Sequence, residues 1–440
     1  MNETLFPLPE NTPSEPTAEE PMGAPRLVTP NRAQVELRAV DLESLLAEDH
    51  EARAVWLFVE SLDLEPLYAQ IRAREGQVGR PATDPRIYLA LWLYATAKGV
   101  GSARALARLT ETHDAYRWIC GGVPVNYHSL ADFRVQQVAY LDQLLTDSVA
   151  ALMVQGLVKL DRVAQDGMRV RASAGAASFR RKPTLKKCRR EARKQVQRLR
   201  EEVEQDSAAT NRRQAAARKR AVEERQRRVE EALEQMPEAE SRKKRAEDRK
   251  KARTSTTDPQ ARVMKMSDGG FRPAYNAQLA VDTETQIVVG ADVTNAGSDQ
   301  GHLGRMLDQI ESRYRTRPGQ ILADGNFVSL DQIRQAAQGG SEPYLPVMKP
   351  KDRTRDPHQP RPKDPPEVAE WRRRMGTPEA KQIYKLRAAT VECVNGLMRN
   401  RGLHRFPVRG LDKARAVLLL HALAHNLMRL LSLQAAPAAA

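Results

Sequence analysis

The sequence predicts an α/β domain interrupted by a helical, coiled-coil-like hairpin and preceded by an all-α segment. Three observations predict it. Apolar residues recur at helical spacing from about residue 40 to 155. The pattern shifts to strand-like alternation at 157–175 and again at 270–294. Between those stretches lies a charged segment, 180–253, with 27 Lys/Arg against 14 Asp/Glu, a net +13. The whole chain of 440 residues carries a formal charge of +15, so nearly all of the excess sits there. Excess positive charge points to a polyanion partner, usually nucleic acid. Aromatic residues are only 5%, so stacking on bases is not the expected binding mode.

The elements follow in order. Residues 1–35 are rich in Pro, Glu and Thr and read as a disordered tail without a secretory pattern. Residues 36–155 read as a helical domain of helix-turn-helix-like units. Asp84 is placed to cap a helix with Pro85 at its first position, and Gly121-Gly122 to end another. A strand pair is expected around Asp166-Gly167. In 180–255, Leu185, Ala192, Val196, Leu199 and Val203, then Val222, Val229, Leu233 and Met236, step by three, four or seven. That spacing predicts two antiparallel helices with a turn near SAATN. A hairpin is expected at 270–294, turning at Asp282–Thr285. A helix, a short strand ending at Asp324, a helix from Ser329, a strand at EPYLPVMKP and a basic loop at 350–366 follow. Two helices at 378–401 and 411–434 precede a tail at 436–440. This order is that of a ribonuclease H-like domain over 156–435, interrupted after its first strand; that is fold analogy, and function must come from the site.

Asp166 and Asp324 both stand in strand contexts, where carboxylates face the crevice of an open α/β sheet. At about 100° per residue, Ile383, Leu386, Thr390, Cys393, Val394 and Leu397 form one stripe of a helix. Glu392 falls on the other side, with Tyr384, Ala388, Asn395 and Arg399 near it. Three carboxylates suit two-metal phosphoryl transfer, with Mg²⁺ held by oxygen ligands and substrate phosphate.

The segments RPATDPRIYLALWLYATAKGVGSARALARLTETHDAYRWICGG, YHSLADFR, QDGMRVRASA, TSTTDPQARVMK, AYNAQLAVD, ILADGNF and, above all, YKLRAATVECVNGLMRNRGLHRFPVRGLDKARAVLLLHALAHNLMRL resemble insertion-sequence transposases of the DDE class, over about residues 40–432. The resemblance implies Mg²⁺ or Mn²⁺ on Asp166, Asp324 and Glu392, and DNA strand cleavage and transfer. It implies DNA contact by Tyr384, Arg387 and Arg399, and Asn395 is grouped with them. DNA ends and target DNA are the expected partners, with a homodimer in the active complex and a cytoplasmic, nucleoid-associated setting. Two departures stand out: Arg399 where the family has Lys, and Gly325-Asn326-Phe327 where it often has Ala-Gly-Tyr.

Blander readings remain beside these. Asp166-Gly167 and Asp324-Gly325 could each be a turn. His421 and His425 lack the glutamate of a zinc protease helix and read as core residues. Gly99-Val100-Gly101 follows a helix rather than a strand, which excludes a nucleotide loop. Cys120 and Cys393 read as buried and apolar. The basic hairpin is either a solvated coiled coil or a DNA or dimer contact. A nuclease on the same fold, or an inactive DNA-binding remnant, stays open as an alternative.

Overall fold

The computed structural model describes residues 33, 39, 41–76, 81–205, 212–348 and 355–435. Residues 42–440 form one compact unit, to which everything below belongs. The expected tails at 1–35 (bar Ala33) and 436–440, the SAATN turn and the stretch 349–354 of the basic loop lie outside the described residues.

Seven helices come first: α1 (Glu51–Glu60), α2 (Glu65–Tyr68), α3 (Pro85–Ala97), α4 (Ala103–Thr112), α5 (Asp114–Cys120), α6 (Tyr127–Gln136) and α7 (Val138–Val154). Asp84 caps α3 as expected, its Oδ1 accepting from the Arg86 backbone N–H at 2.8 Å. Gly121 ends α5 in the left-handed conformation, φ 54°. The helix that Gly121 ends is short, because α4 stops before His113, whose Nδ1 accepts from the Ala115 N–H and starts α5.

The remaining elements are β1 (Arg162–Arg171), β2 (Phe179–Arg180), α8 (Lys182–Gln205), α9 (Arg212–Glu234), α10 (Met236–Ser241), α11 (Ala246–Lys250), β3 (Thr254–Ser255), β4 (Arg262–Lys265), β5 (Phe271–Asp282), β6 (Val288–Thr294), α12 (His302–Tyr314), β7 (Gln320–Ala323), α13 (Leu330–Gln338), β8 (Glu342–Tyr344), α14 (Pro366–Gly376), α15 (Pro378–Arg387), α16 (Cys393–Asn400) and α17 (Leu411–Ala435). The main sheet is mixed. Its order is β6-β5-β1-β7-β8, with β4 beside β6 on the same edge of β5. The β5 pairings are antiparallel, whereas β1-β7 and β7-β8 are parallel.

The strand pair expected at Asp166-Gly167 is instead one continuous strand, β1. Gly167 serves no turn. It clears space for the buried Asp299, because an added Cβ would collide with Asp299 Oδ1 and Gln278 Nε2. Asp299 in turn accepts from Asn276 Nδ2 at 2.7 Å and Gln278 Nε2 at 2.8 Å, and pairs with Arg169 at 2.8 Å. The β5–β6 turn is made as expected by Asp282, whose Oδ1 accepts from the Thr285 N–H and hydroxyl.

Helices α8 and α9 lie antiparallel: Arg193 pairs with Glu230 and Gln195 receives Arg225, so numbers rise on one helix as they fall on the other. Leu185, Ala192, Val196, Val229 and Met236 are buried along the seam, matching the spacing in the sequence. The α14 helix was not foreseen; its Trp371 is buried and donates Nε1–H to the Leu345 carbonyl at 3.1 Å.

Helix α17 joins the two halves. It packs on α3, α6 and α7 at one side and on β6 at the other. By length and composition it could cross a membrane, but 67% of that stretch is buried inside the protein. His421 and His425 are core residues here, as expected. His425 bridges: one ring nitrogen lies 2.9 Å from the Gln286 carbonyl and the other 3.3 Å from Arg401 Nη1. The carbonyl can only accept and the guanidinium only donate, so the ring is neutral with its proton on Nε2. Burial lowers the pKa of His421 to about 3 and of His425 to about 4.

Two outcomes are expected. Gly167→Ala should lose about 1–3 kcal/mol in urea unfolding, by overpacking against the Asp299 carboxylate. For His421 and His425 the folded pKa lies below the unfolded value, so their contribution is complete above about pH 6.5 and is lost as pH falls towards 4. At pH 5 each should destabilise the fold by about 2 kcal/mol relative to pH 7. A His421→Gln/His425→Gln variant should lack that part of the pH dependence.

Candidate active site

Parallel pairing sets Gln165 opposite Ala323, so Asp166 and Asp324 follow one residue further along neighbouring strands. Their side chains are close enough to repel. Burial first, and then the Asp324 charge, push the Asp166 carboxyl up to about 6, against the opposing Gly167 N–H and Arg387. Asp324 is held from behind by Asn326. Its Oδ1 accepts from the Asn326 N–H at 2.9 Å and its Oδ2 from the Asn326 side-chain amide at 2.8 Å.

The third carboxylate comes from a helix that is not regular. Residues Ala388–Glu392 form a π-helical turn between α15 and α16. In an α-helix, residues three or four apart are neighbours and residues five apart are not. Here Arg387 and Glu392, five apart, pair at 2.6 Å because the turn is wide. A wide turn also frees carbonyls, and each needs a donor. The Thr390 hydroxyl serves Leu386 at 2.8 Å and lies 3.3 Å from the Arg387 carbonyl, and Gln286 Nε2 donates to Ala389 at 2.9 Å.

The extra residue moves the buried stripe by one position. Thr390, Val391, Val394, Asn395 and Met398 are buried, while Leu386 and Cys393 are exposed. The stripe read at a constant 100° per residue therefore holds at Thr390 and Val394, fails at Leu386 and Cys393, which are exposed, and misses Asn395, which is buried. Cys120 is buried as expected.

Asn395 faces inward and its amide Nδ2 donates to Asp166 Oδ2 at 2.9 Å, across 229 residues of sequence. Tyr384 is half-buried, and the Arg387 guanidinium lies 5.7 Å from its ring centre. Burial raises the Tyr384 pKa, and Arg387 opposes this. Burial also works against the Arg387 charge, but Tyr384, Glu392 and Asp166 together outweigh it and hold its pKa above the usual value. Arg399 is half-buried on α16, seven residues beyond Glu392, with no ion pair among the described residues.

Asp166, Asp324, Tyr384, Arg387 and Asn395 thus meet over β1 and β7, with Glu392 tied to Arg387 at the rim. Among the described residues no three His, Cys, Asp or Glu are gathered as a ready metal cage. The donor set still fits a hard cation. It is all oxygen, the Asp324 charge works against ionisation of Asp166, and Asn395 Oδ1 is buried without a hydrogen-bond partner. Asn326 was noted in the sequence only as a departure, and its grip on Asp324 had no signal there. Asp299 was missed altogether; a glycine directly after a carboxylate, once placed mid-strand, is the signal that leads to it.

The raised Asp166 pKa has a stability consequence. Folded Asp166 binds its proton more tightly than the unfolded group at 3.8, so its contribution is complete below that value and is lost as pH rises through about 6. Above pH 7 the ionised carboxyl should destabilise the metal-free fold by up to about 3 kcal/mol. Asp166→Asn should therefore raise stability in chelator at pH 7.5 but not at pH 4, measured by urea unfolding.

Two family models match the chain. One, a transposase DDE domain, covers residues 240–427 and so includes Asp324 and Glu392 but not Asp166. The other, a transposase domain, covers 40–136 in the helical region. No curated protein and no solved structure gives a significant match. With a helical transposase region ahead of a transposase DDE domain, the chain belongs to the insertion-sequence transposases of the DDE class and functions in DNA transposition.

Proposed function

We propose that Asp166, Asp324 and Glu392 carry out metal-dependent cleavage of DNA and joining of the freed end to target DNA. The observation that carries this reading is that Asp166 and Asp324 directly follow the paired Gln165 and Ala323 of parallel strands, where Asp166 resists ionisation without a cation. Asp166 and Asp324 would hold Mg²⁺ or Mn²⁺, with Asn395 orienting Asp166 and Asn326 orienting Asp324. The bound metal would supply activation of the attacking oxygen and stabilisation of the leaving one. Glu392 would complete the ligand set by leaving Arg387. Arg387, released, would pair with a DNA phosphate, so one exchange of partners links substrate arrival to assembly of the carboxylates. Tyr384 would fix the plane of that guanidinium, and Arg399 would add a second phosphate contact.

The antiparallel β1, β5 and β6 and the parallel β7 and β8 support a ribonuclease H-like core, in which α8 and α9 form an insertion after β1. On this reading residues 36–155 would engage the element ends and 156–435 would carry the chemistry. Action on two ends calls for a homodimer, and DNA as substrate calls for a nucleoid setting.

Asp166→Ala, Asp324→Ala and Glu392→Ala should each lower Mg²⁺-dependent cleavage of DNA carrying the element ends by at least about 100-fold. Binding in chelator should change less than about threefold. Cleavage that survives at least two of the three changes would reject the assignment. Cleaved ends that are never joined to target DNA would favour a nuclease instead.

A further inference from the structure

A second pocket, of about 400 Å³, lies away from the carboxylates. Its wall includes Arg104, Arg134, Arg401 and Arg405, and no Asp or Glu. Arg134 is only 7% exposed, yet none of the described residues gives it a carboxylate partner. One Nη1 donates to the Gly101 carbonyl at 2.7 Å, its plane sits 4.5 Å from the Trp92 ring, and its Nε has no hydrogen-bond partner. Arg104, Arg401 and Arg405 have no ion pair among the described residues either. The nearest acid acting on Arg401 is Glu51, which is already paired with Lys98. Helix α4 begins at this pocket, with Ser102 as its cap, so its free N–H groups add to the positive field. A buried guanidinium without an anion is costly to the fold, and Arg134 is the buried one here, with the half-buried Arg401 and the exposed Arg104 and Arg405 adding positive potential around the cavity.

We propose that this pocket binds a phosphate group, supplied by the backbone of bound DNA. Arg134 would face it from the floor, with Arg104 and Arg405 closing from the rim. The source of the phosphate, though not the pocket's chemistry, rests on the function proposed above. The position suits that source. Segment 404–406 runs beside the end of β1, with the Phe406 N–H donating to the Arg171 carbonyl at 2.8 Å. Arg171 lies five residues along β1 from Asp166, about 17 Å at ~3.3 Å per residue. A duplex reaching the carboxylates would cover that span in about five base pairs.

The test uses the full chain in chelator, so that cleavage plays no part. Binding of a fluorescein-labelled duplex is followed by anisotropy across a salt series. Arg104→Gln/Arg405→Gln, both at exposed positions, is compared with Arg315→Gln/Arg373→Gln, which removes equal charge away from the pocket and from the basic hairpin. The pocket variant should bind about tenfold more weakly than the control, with a salt slope smaller by about 1. Equal affinity and slope for the two variants would overturn the DNA assignment. In parallel, inorganic phosphate should raise the Tm of the wild type, and Arg134→Gln, if folded by circular dichroism, should lose that rise. A rise retained in both Arg134→Gln and the rim variant, or absent from the wild type, would overturn the pocket itself. If the wild type bound no duplex but its phosphate response depended on these arginines, the function above would fail while the pocket stood, with free phosphate as its ligand.

Discussion

Strand β1 is hydrogen-bonded along both edges, antiparallel to β5 and parallel to β7, and the rest of the molecule is arranged around that double constraint. Its residues cannot slip by one position without exchanging faces. Asp166 must then look towards α15 and α16, and Gly167 towards the buried Asp299. The two faces are chemically different. One presents a carboxylate to the open site. The other fixes the same strand through Asp299, Asn276, Gln278 and Arg169. The carboxylate is thus mounted on backbone that polar bonds and sheet pairing determine from three sides.

The helix that crosses above is set by a different device. The π-helical turn puts Arg387 and Glu392 side by side while turning Asn395 inward to Asp166. Its loosened carbonyls are satisfied by Thr390 and Gln286, and Gln286 is held in turn by His425 of the core helix. A widened turn is less stable than a regular one, and it persists because these partners compensate it. The result is an electrostatic balance: Arg387 sits among Glu392, Asp166 and Tyr384, which together outweigh the cost of its burial.

Much of this was readable from the sequence. The helix caps at Asp84 and Gly121, the Asp282 turn, the paired basic helices and the strand placement of Asp324 all follow from local chemistry that a short window contains. The failures share a cause. A constant 100° per residue cannot reveal an inserted residue, so Leu386 and Cys393 were placed in the buried stripe and Asn395 outside it. Asp166-Gly167 looked like a turn because glycine after aspartate normally is one. Only the carboxylate of Asp299, distant in sequence, gives that glycine its mid-strand purpose. The pairing of Asn395 with Asp166 spans 229 residues and leaves no local trace.

Helix α17 also ties the fate of the two halves together. It lies between the first helices and the sheet. Without it, α3, α6 and α7 lack the apolar partner that covers them. His425, which steadies the link to the π-helical turn, also belongs to it. Neither half has a finished core alone, so a protease cut that released α17 would unravel the helical region and loosen the carboxylate site in one event.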